Sequence, residues 1–256
     1  MLYAKKSLGQ NFLHSKKAIS DIVLAGEIQK GETVLEAGPG TGILTEALLQ
    51  AGAKVLAIEK DRRLIPVLEQ KFAVEIASGN LTLIEGDILD FDSSLYPLHT
   101  THYKLVANIP YYITGVFIRK FLETEHQPNK IVILIQKEVA ERIVTRDGKE
   151  SLLSLGVKAY GTPKYIATVT KGNFRPAPNV DSAILAIENI SRNNFENPEQ
   201  EKKLFALAKK AFGQKRKMIT GTLGVSAETL SACGIEAKAR PEELSLKDWL
   251  YLTKNI

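Results

Sequence analysis

The chain has 256 residues, of which 44% are hydrophobic and 25% are charged, a balance typical of a globular protein with one sizeable core and a small addition. Its single cysteine, Cys233, excludes a disulfide framework and a thiolate metal cluster. Residues 1–13 lack the apolar core of a signal peptide, and the apolar run from Ile131 to Ile135 is far too short to span a bilayer. We therefore expect a cytoplasmic protein with no membrane association.

The formal net charge of +5 is concentrated in the last quarter of the chain. Residues 191–256 hold 12 Lys and Arg against 8 Asp and Glu. The clustered basic residues are Lys202, Lys203, Lys209, Lys210, Lys215, Arg216 and Lys217. A basic face of this kind commonly meets a phosphate backbone, although a solvated helix surface gives the same pattern. The charge favours nucleic acid as the partner.

The segment from residue 5 to residue 17 is basic and irregular, and it mixes apolar anchors with amide side chains. Two interpretations stay open for this segment. It is either a fraying arm or an ordered lid whose Gln10 and Asn11 reach a ligand. Apolar residues at helical spacing then predict a helix from Ala18 to Ile28.

The stretch from Thr33 to Ala37 predicts a first strand, and it leads into a turn with Gly38, Gly40 and Gly42. A helix is predicted to begin at Ile43. A strand, a glycine-rich turn and a helix N-terminus in this order are typical of a nucleotide-binding motif, because glycine lets the backbone approach a ligand. A dinucleotide fingerprint requires Gly or Ala where Ile43 stands. The spacing therefore indicates a turn that holds an adenosine and an amino acid rather than a pyrophosphate.

Acidic residues follow the next two predicted strands. Glu59 comes directly after the strand Lys54 to Ile58 and is placed to accept both ribose hydroxyls of an adenosine. Asp87 follows the strand Leu81 to Glu85, where it would accept from an adenine amino group while Ile88 covers the ring. Acids at strand ends and in turns are also common on surfaces, so the preceding glycines are what favour the binding interpretation.

The fourth predicted strand ends in the run Asn108-Ile109-Pro110-Tyr111. Pro110 cannot donate to a strand ladder and pushes Ile109 toward an extended backbone. The Ile109 carbonyl is then held beside the Asn108 side chain, with the Tyr111 ring next to both. Two acceptors and one flat ring suit an amino group on a flat heterocycle, whereas the alternative is a simple strand end with a turn. We predict these four residues to be catalytic.

Three later strands are predicted at Ile131 to Ile135, Tyr165 to Thr170 and Ser182 to Ile187. Strands that alternate with helices imply a parallel sheet with right-handed crossovers. A polar linker starts at Ser191, and the pattern after it is purely helical. We therefore predict an α/β domain over residues 1–190 and a helical domain over residues 191–256.

The loop from Phe174 to Ser182 contains two prolines, which stiffen it in an extended form. Phe174 either plugs the core, as most Phe residues do, or provides a second stacking ring beside Tyr111. We predict the second role and count Phe174 among the catalytic residues.

Together these stretches resemble the small-subunit ribosomal RNA adenine N6,N6-dimethyltransferase family over nearly the whole chain. The matching stretches are Gly9 to Leu13, Glu36 to Gly42, Glu59, Gly86-Asp87, Asn108 to Tyr111, Phe174 to Ser182, Phe212 to Lys217 and Arg240 to Ser245. Gly213 and Met218 depart from the family pattern, and these departures concern RNA binding rather than the chemistry.

The resemblance implies a Rossmann-like methyltransferase sheet of seven strands, the last antiparallel, with a small helical C-terminal domain. It also implies S-adenosylmethionine as methyl donor and two adjacent adenosines near the end of small-subunit rRNA as substrate. The residues it places around the cofactor are Asn11, Leu13, Gly38, Glu59, Asp87 and Asn108, to which the glycine turn and the third strand end add Gly40 and Ile88. The basic cluster and the matching stretch from Phe212 to Lys217 together predict RNA-binding residues at Lys209, Lys210, Lys215, Arg216 and Lys217.

No metal is expected, because the four histidines lack metal-ligand spacing. We expect a monomer that acts on the small ribosomal subunit or its precursor. Four alternatives stay open: a large-subunit rRNA adenine methyltransferase, a non-catalytic ribosome assembly factor, an NAD-dependent oxidoreductase and a DNA adenine methyltransferase. Ile43 disfavours the oxidoreductase, and the short C-terminal region disfavours the DNA enzyme.

Overall fold

The structure, a computed structural model, describes residues 4–5, 8–92, 94, 96, 98, 102–214, 216–232 and 234–256. The chain divides into two compact units. The first unit comprises Met1–Ala140 and Lys164–Ile190, and the second comprises Glu141–Pro163 and Ser191–Ile256. Each unit has its own hydrophobic core.

The strands of the described chain are β1 (Phe12–Leu13), β2 (Thr33–Ala37), β3 (Lys54–Glu59), β4 (Leu81–Glu85), β5 (Tyr103–Ala107), β6 (Lys130–Gln136), β7 (Thr162–Val169), β8 (Phe174–Arg175) and β9 (Ser182–Glu188). The helices are α1 (Lys16–Gly26), α2 (Ile43–Gln50), α3 (Ile65–Lys71), α4 (Ala73–Ala77), α5 (Thr114–Glu123), α6 (Lys137–Ile143), α7 (Leu152–Tyr160), α8 (Pro198–Phe212), α9 (Ile219–Leu223), α10 (Ala227–Ala232) and α11 (Leu246–Asn255). Among these helices, none is long and apolar enough to cross a bilayer.

The main sheet has seven strands in the order β4-β3-β2-β5-β6-β9-β7. Neighbouring strands from β4 to β6 are parallel, whereas β9 runs antiparallel to β6. The central strands are apolar because both faces of a parallel sheet are covered. Their fully buried residues include Val34, Val106, Val132, Leu134 and Ile184. The predicted α/β class, with its reversed last strand, is confirmed.

After the strand that ends at Glu59, the sequence predicts one helix from Arg62 to Phe72. The structure has two short helices there instead, because α3 begins at Ile65 and α4 begins at Ala73. Pro66 in the first turn fixes where α3 starts, because its ring is compatible only with a helix N-terminus. Phe72, with φ of −114° and ψ of 29°, interrupts the helical backbone between the two.

The second unit includes residues 141–163, whereas the sequence pattern predicts these residues to lie in the first domain. The reason is the apolar face of α7. Leu155 on α7 is fully buried in the same core as Leu204 on α8 and Trp249 on α11. Tyr160, the last residue of α7, stacks on Phe205 with ring centroids 5.8 Å apart.

A second sheet was not predicted. It consists of β1 and β8, which pair antiparallel, with Phe12 opposite Arg175 and Leu13 opposite Phe174. Two-residue strands carry no periodic signal, so sequence pattern does not reveal such a pairing. The pairing ties the N-terminal segment to the loop that precedes β9.

Candidate active site

A single cavity contains most of the predicted site residues. It lies where β2, β3, β4 and β5 end, which is the usual binding edge of a parallel α/β sheet. All the predicted cofactor-binding residues line it: Asn11, Leu13, Gly38, Gly40, Glu59, Asp87, Ile88 and Asn108. Ile109, Pro110 and Tyr111 line it as well, so cofactor and substrate groups would meet in one space.

The glycine turn has a backbone that requires glycine. Gly38, Gly40 and Gly42 have φ values of +71°, +59° and +76°. A Cβ added at Gly42 would lie 2.6 Å from the Phe72 ring, and one added at Gly40 would lie 3.1 Å from the Phe12 ring. The turn therefore fits tightly against its neighbours and leads directly into the N-terminus of α2.

Glu59 holds this turn in place. Its carboxylate accepts one hydrogen bond from the Gly40 N–H at 2.9 Å and another from the Asp61 N–H at 2.7 Å. The residue is 5% exposed, and its burial raises the pKa of the carboxyl above the ordinary value. Each carboxylate oxygen has a second lone pair, so Glu59 can accept from hydroxyls in the cavity while it anchors the turn.

Asp87 is a second acidic group on the cavity wall. Its carboxylate accepts from the Lys60 ammonium at 2.5 Å and from the Leu89 N–H at 3.0 Å. Burial alone would raise the pKa of Asp87, but these hydrogen bonds outweigh it and lower the pKa below its usual range. Asp87 is therefore an ionised acceptor at the end of β4.

The run from Asn108 to Tyr111 forms a corner with unused acceptors. Among the described residues, no group donates to the Asn108 side chain or to the Ile109 carbonyl. Pro110, with φ of −57° and ψ of 136°, holds the chain extended before a short 3-10 turn that begins at Tyr111. A Cβ at Gly38 would lie 3.7 Å from the Asn108 carbonyl oxygen, so the corner lies directly beside the glycine turn.

The Tyr111 ring is half-buried and its hydroxyl is hydrogen-bonded to the Ser182 hydroxyl at 2.6 Å. Burial raises the pKa of Tyr111, which keeps the phenol neutral. The sequence motif contained Ser182, but sequence reasoning gave it no role because the two residues are far apart in the chain.

Phe174 is not brought to the cavity. Its ring is 2% exposed and belongs to the core of the first unit with Leu13 and Val169. The strand pairing of β8 with β1, which sets Phe174 opposite Leu13, explains this position. The ring is therefore buried outside the set of residues that line the cavity, and its role as a second stacking ring stays a prediction.

The N-terminal segment contributes to the cavity wall, as the ordered-lid interpretation expects. Residues 8–13 line the cavity. Gln10 donates to the Asp61 carboxylate at 2.9 Å, and Arg63 forms an ion pair with the same carboxylate at 2.6 Å. The Arg63 guanidinium holds the pKa of Asp61 well below its usual range. Sequence reasoning missed this link because it joins residues 51 positions apart.

The basic residues predicted to bind RNA are exposed in the second unit. Lys209 and Lys210 lie in the last turn of α8, and Arg216 and Lys217 follow it. None of these four side chains has an ion pair or hydrogen bond within the part of the chain that the structure describes. Lys215 lies outside the described residues.

The whole chain, residues 1–256, matches the profile of the family described as "Ribosomal RNA adenine dimethylase". The chain belongs to this family. A relative named "Ribosomal RNA small subunit methyltransferase A" from Dehalococcoides mccartyi (strain ATCC BAA-2266 / KCTC 15142 / 195) is 39% identical over 259 residues, which cover 98% of this chain and 88% of the relative. This family membership makes the chain an S-adenosylmethionine-dependent rRNA adenine dimethyltransferase.

Two solved structures share the fold over nearly the full length. A dimethyladenosine transferase from Plasmodium falciparum superposes with a TM-score of 0.81 and 26% identity, covering 94% of this chain and 95% of that one. The 23S rRNA methyltransferase ErmE superposes with a TM-score of 0.79 and 25% identity, covering 96% and 99%. The fold is therefore that of an RNA adenine methyltransferase throughout, including the second unit.

The cavity fits S-adenosylmethionine by its chemistry. Glu59 and Asp87 supply two carboxylates at successive strand ends, which suit ribose hydroxyls and an adenine amino group. Ile88 offers an apolar surface for the adenine ring. The glycine turn brings backbone close to the remainder of the cofactor without side-chain obstruction.

Proposed function

We propose that this protein dimethylates two adjacent adenosines at N6 near the 3′ end of small-subunit rRNA. It would act as a cytoplasmic monomer on the small ribosomal subunit or its precursor during ribosome biogenesis. The observation that carries the proposal is the pair of unused acceptors at Asn108 and Ile109 beside a half-buried Tyr111 ring, all in the same cavity as the glycine turn.

The two acceptors would make the adenine amine, which is a poor nucleophile, more reactive. The lone pair of an adenine amine is delocalised into the ring. Hydrogen bonds from its two N–H groups to the Asn108 side-chain oxygen and the Ile109 carbonyl favour a pyramidal nitrogen with a localised lone pair. These bonds strengthen as positive charge develops on nitrogen, so they act on the transition state.

The ring of Tyr111 would receive the target base after it leaves its stack. Extruding a base costs a few kcal/mol, and stacking on an aromatic ring offsets part of this cost. Because the Tyr111 hydroxyl is hydrogen-bonded to Ser182, the far end of the ring is anchored at a fixed position. The position of the ring would set where the stacked base, and with it the amine, is placed.

When bound, S-adenosylmethionine supplies a methyl group that its sulfonium already activates. The contribution of the protein is then mainly placement, worth up to roughly 7–11 kcal/mol of the barrier. Glu59 and the glycine turn would hold the cofactor, and the corner from Asn108 to Tyr111 would hold the target adenine. No general base is needed before attack, because the proton on a methylated amine is acidic.

The second unit would hold the RNA. Lys209, Lys210, Arg216 and Lys217 present four exposed cations that nothing among the described residues neutralises. Such charges are available to pair with phosphates, and a protein that neutralises phosphates binds with a strong salt dependence. This would supply affinity without base specificity.

The decisive test is to incubate the protein with labelled methyl donor and under-methylated small subunits, and then to identify the modified nucleoside. We expect N6,N6-dimethyladenosine at two adjacent positions. Naked large-subunit RNA serves as the control substrate, because ErmE, a 23S rRNA methyltransferase, shares the fold. Labelling of large-subunit RNA alone would contradict the proposal, and so would no labelling of either RNA.

A further inference from the structure

Ser182 lies at the reacting edge of the sheet because β9 is reversed. It is the first residue of β9 and pairs with Gln136, the last residue of β6. In a parallel strand the first residue would lie at the far edge. The antiparallel direction instead brings the start of β9 to the edge where the parallel strands end and the cavity lies.

The Ser182 hydroxyl is held at a fixed point. The residue has no exposed surface, and its neighbour Asp181 is tied at two places. The Asp181 carbonyl accepts from the Lys137 N–H at 3.0 Å, and its carboxylate accepts from the Lys171 N–H at 2.9 Å. A hydroxyl on such a constrained backbone is an anchor rather than a mobile partner.

The residue that this anchor holds is Tyr111, with 2.6 Å between the two hydroxyl oxygens. The phenolic oxygen of a tyrosine lies on the long axis of its ring, at the end farthest from the backbone. A hydrogen bond there therefore fixes the direction of the ring axis and the position of the ring, which the rotamer about Cα–Cβ would otherwise set alone. Tyr111 also lines the cavity, so the position of its ring determines where a base stacked on it would lie.

We propose that Ser182 is a positioning residue of the methyl-transfer site, which fixes the position of the Tyr111 ring and thereby aims the target amine at the acceptors of Asn108 and Ile109. The inference rests on the proposed function of this cavity. Ser182 itself touches neither substrate nor cofactor in this scheme. Its effect passes through one hydrogen bond, and that makes a double-mutant cycle the appropriate test.

The experiment compares wild type, Ser182→Ala, Tyr111→Phe and the double variant. Phenylalanine keeps the stacking ring and removes only the hydroxyl. We expect each single variant to lower kcat roughly tenfold on under-methylated small subunits, since one buried hydrogen bond is lost in each case. KM and the affinity for S-adenosylmethionine should change little. The double variant should be no worse than either single variant, because both remove the same bond.

Two outcomes would overturn the inference. If the fold-decrease in kcat of the double variant equalled the product of the two single decreases, Ser182 would act independently of Tyr111. An unchanged kcat in both single variants would mean that the hydroxyl pair only fills a buried space. If the wild type itself does not methylate small subunits, the proposed function fails instead, so the two failures are distinguishable.

Matched controls and a substrate-free readout complete the test. Tyr103→Phe removes a tyrosine hydroxyl that donates to the His126 carbonyl, and Ser154→Ala removes another fully buried serine hydroxyl. Neither residue lines the cavity, so kcat should stay near wild type.

Urea unfolding without substrate tests the hydrogen bond between Ser182 and Tyr111 directly. The wild type, the two single variants and the double variant should show changes in the free energy of unfolding that are not additive. Additive changes in the free energy of unfolding would contradict the hydrogen bond itself.

Discussion

The Glu59 carboxylate accepts a hydrogen bond from the Gly40 N–H at 2.9 Å, so the acid at the end of β3 anchors the glycine turn that follows β2. The same carboxylate accepts from the Asp61 N–H at 2.7 Å. The two groups expected to hold the cofactor are therefore one rigid assembly. A change in either one alters the position of the other.

Glu59→Gln should weaken cofactor binding. Glutamine has one acceptor oxygen in place of two, so it cannot serve both the Gly40 and the Asp61 N–H groups and has less capacity left for ribose hydroxyls. We expect the dissociation constant for S-adenosylmethionine to rise roughly 10- to 100-fold, as for loss of a charge-assisted hydrogen bond. Isothermal titration calorimetry measures it. Glu69→Gln, an exposed acid on α3, is the control, and equal affinities would contradict the role of Glu59.

Asn108→Ala should separate catalysis from binding. The change removes one of the two unused acceptors in the corner and leaves the Ile109 carbonyl in place. We expect kcat to fall roughly 100-fold or more, the range typical of losing one group that stabilises transition-state charge. Cofactor affinity should be retained in part. Single-turnover kinetics and calorimetry measure the two quantities.

Asn80→Ala, at an exposed position outside the cavity, is the control for this substitution. Its kcat and cofactor affinity should match those of wild type. If Asn108→Ala lost activity and cofactor affinity to the same degree, Asn108 would be a cofactor ligand rather than a group that acts on the amine.

The basic surface of the second unit should control the salt dependence of RNA binding. Lys209→Ala with Lys210→Ala removes two exposed and unneutralised cations. Each lost phosphate contact lowers the slope of log K against log salt by roughly one. Fluorescence anisotropy with a small-subunit RNA fragment measures this slope. Arg216→Ala with Lys217→Ala should have the same effect.

The control pair for this experiment is Lys30→Ala with Lys54→Ala, two exposed lysines of the first unit that do not line the cavity. It removes the same charge, so it corrects for the general lowering of the protein's net charge. Equal slopes for the three double variants would mean that the cluster after α8 is only a solvated helix surface.

The main sheet could be predicted from the sequence because each strand is a continuous apolar run between turn residues. Such a pattern is local, and the stretch from Ile131 to Ile135 needs no partner to be recognised as a buried strand. The glycine turn and the corner at Asn108 were predictable for a related reason. Both are short runs in which the residue types themselves constrain the backbone, and both follow a predicted strand.

The remainder of the site depends on contacts between distant residues, and sequence pattern does not encode these. The pairing of β1 with β8 sets Phe174 opposite Leu13 in the core of the first unit. The bond between Gln10 and Asp61 and the one between Tyr111 and Ser182 join residues 51 and 71 positions apart. Each becomes visible only when the sheet brings the strand ends together.

The burial of Glu36 is a further feature that the sequence did not reveal, and it predicts a pH-dependent stability. Glu36 lies in β2 with no exposed surface, and neither carboxylate oxygen has a hydrogen-bond partner among the described residues. Burial raises the pKa of Glu36 from an ordinary value of 4.5 to about 8. The folded state therefore keeps this carboxyl protonated at pH values where the unfolded chain releases the proton.

The sign of the effect follows from this difference. The folded state binds the proton more tightly, so the stabilising contribution is fully present below the unfolded pKa of 4.5 and is lost as pH rises through the folded pKa of about 8. Within that window the free energy of unfolding should fall with pH, at up to about 1.4 kcal/mol per pH unit from this group. Urea unfolding at a series of pH values across the window measures the slope.

Glu36→Gln isolates the contribution of this one carboxyl. Glutamine has nearly the same shape but does not titrate. The free energy of unfolding of the variant, relative to that of wild type, should therefore rise steadily from the acidic to the basic end of the window. The absolute stability of the variant is not the test, because a buried amide without partners carries its own cost. Glu69→Gln, exposed on α3, should keep the wild-type slope. Parallel pH profiles for wild type and Glu36→Gln would mean that Glu36 ionises in the folded protein as it does in the unfolded chain.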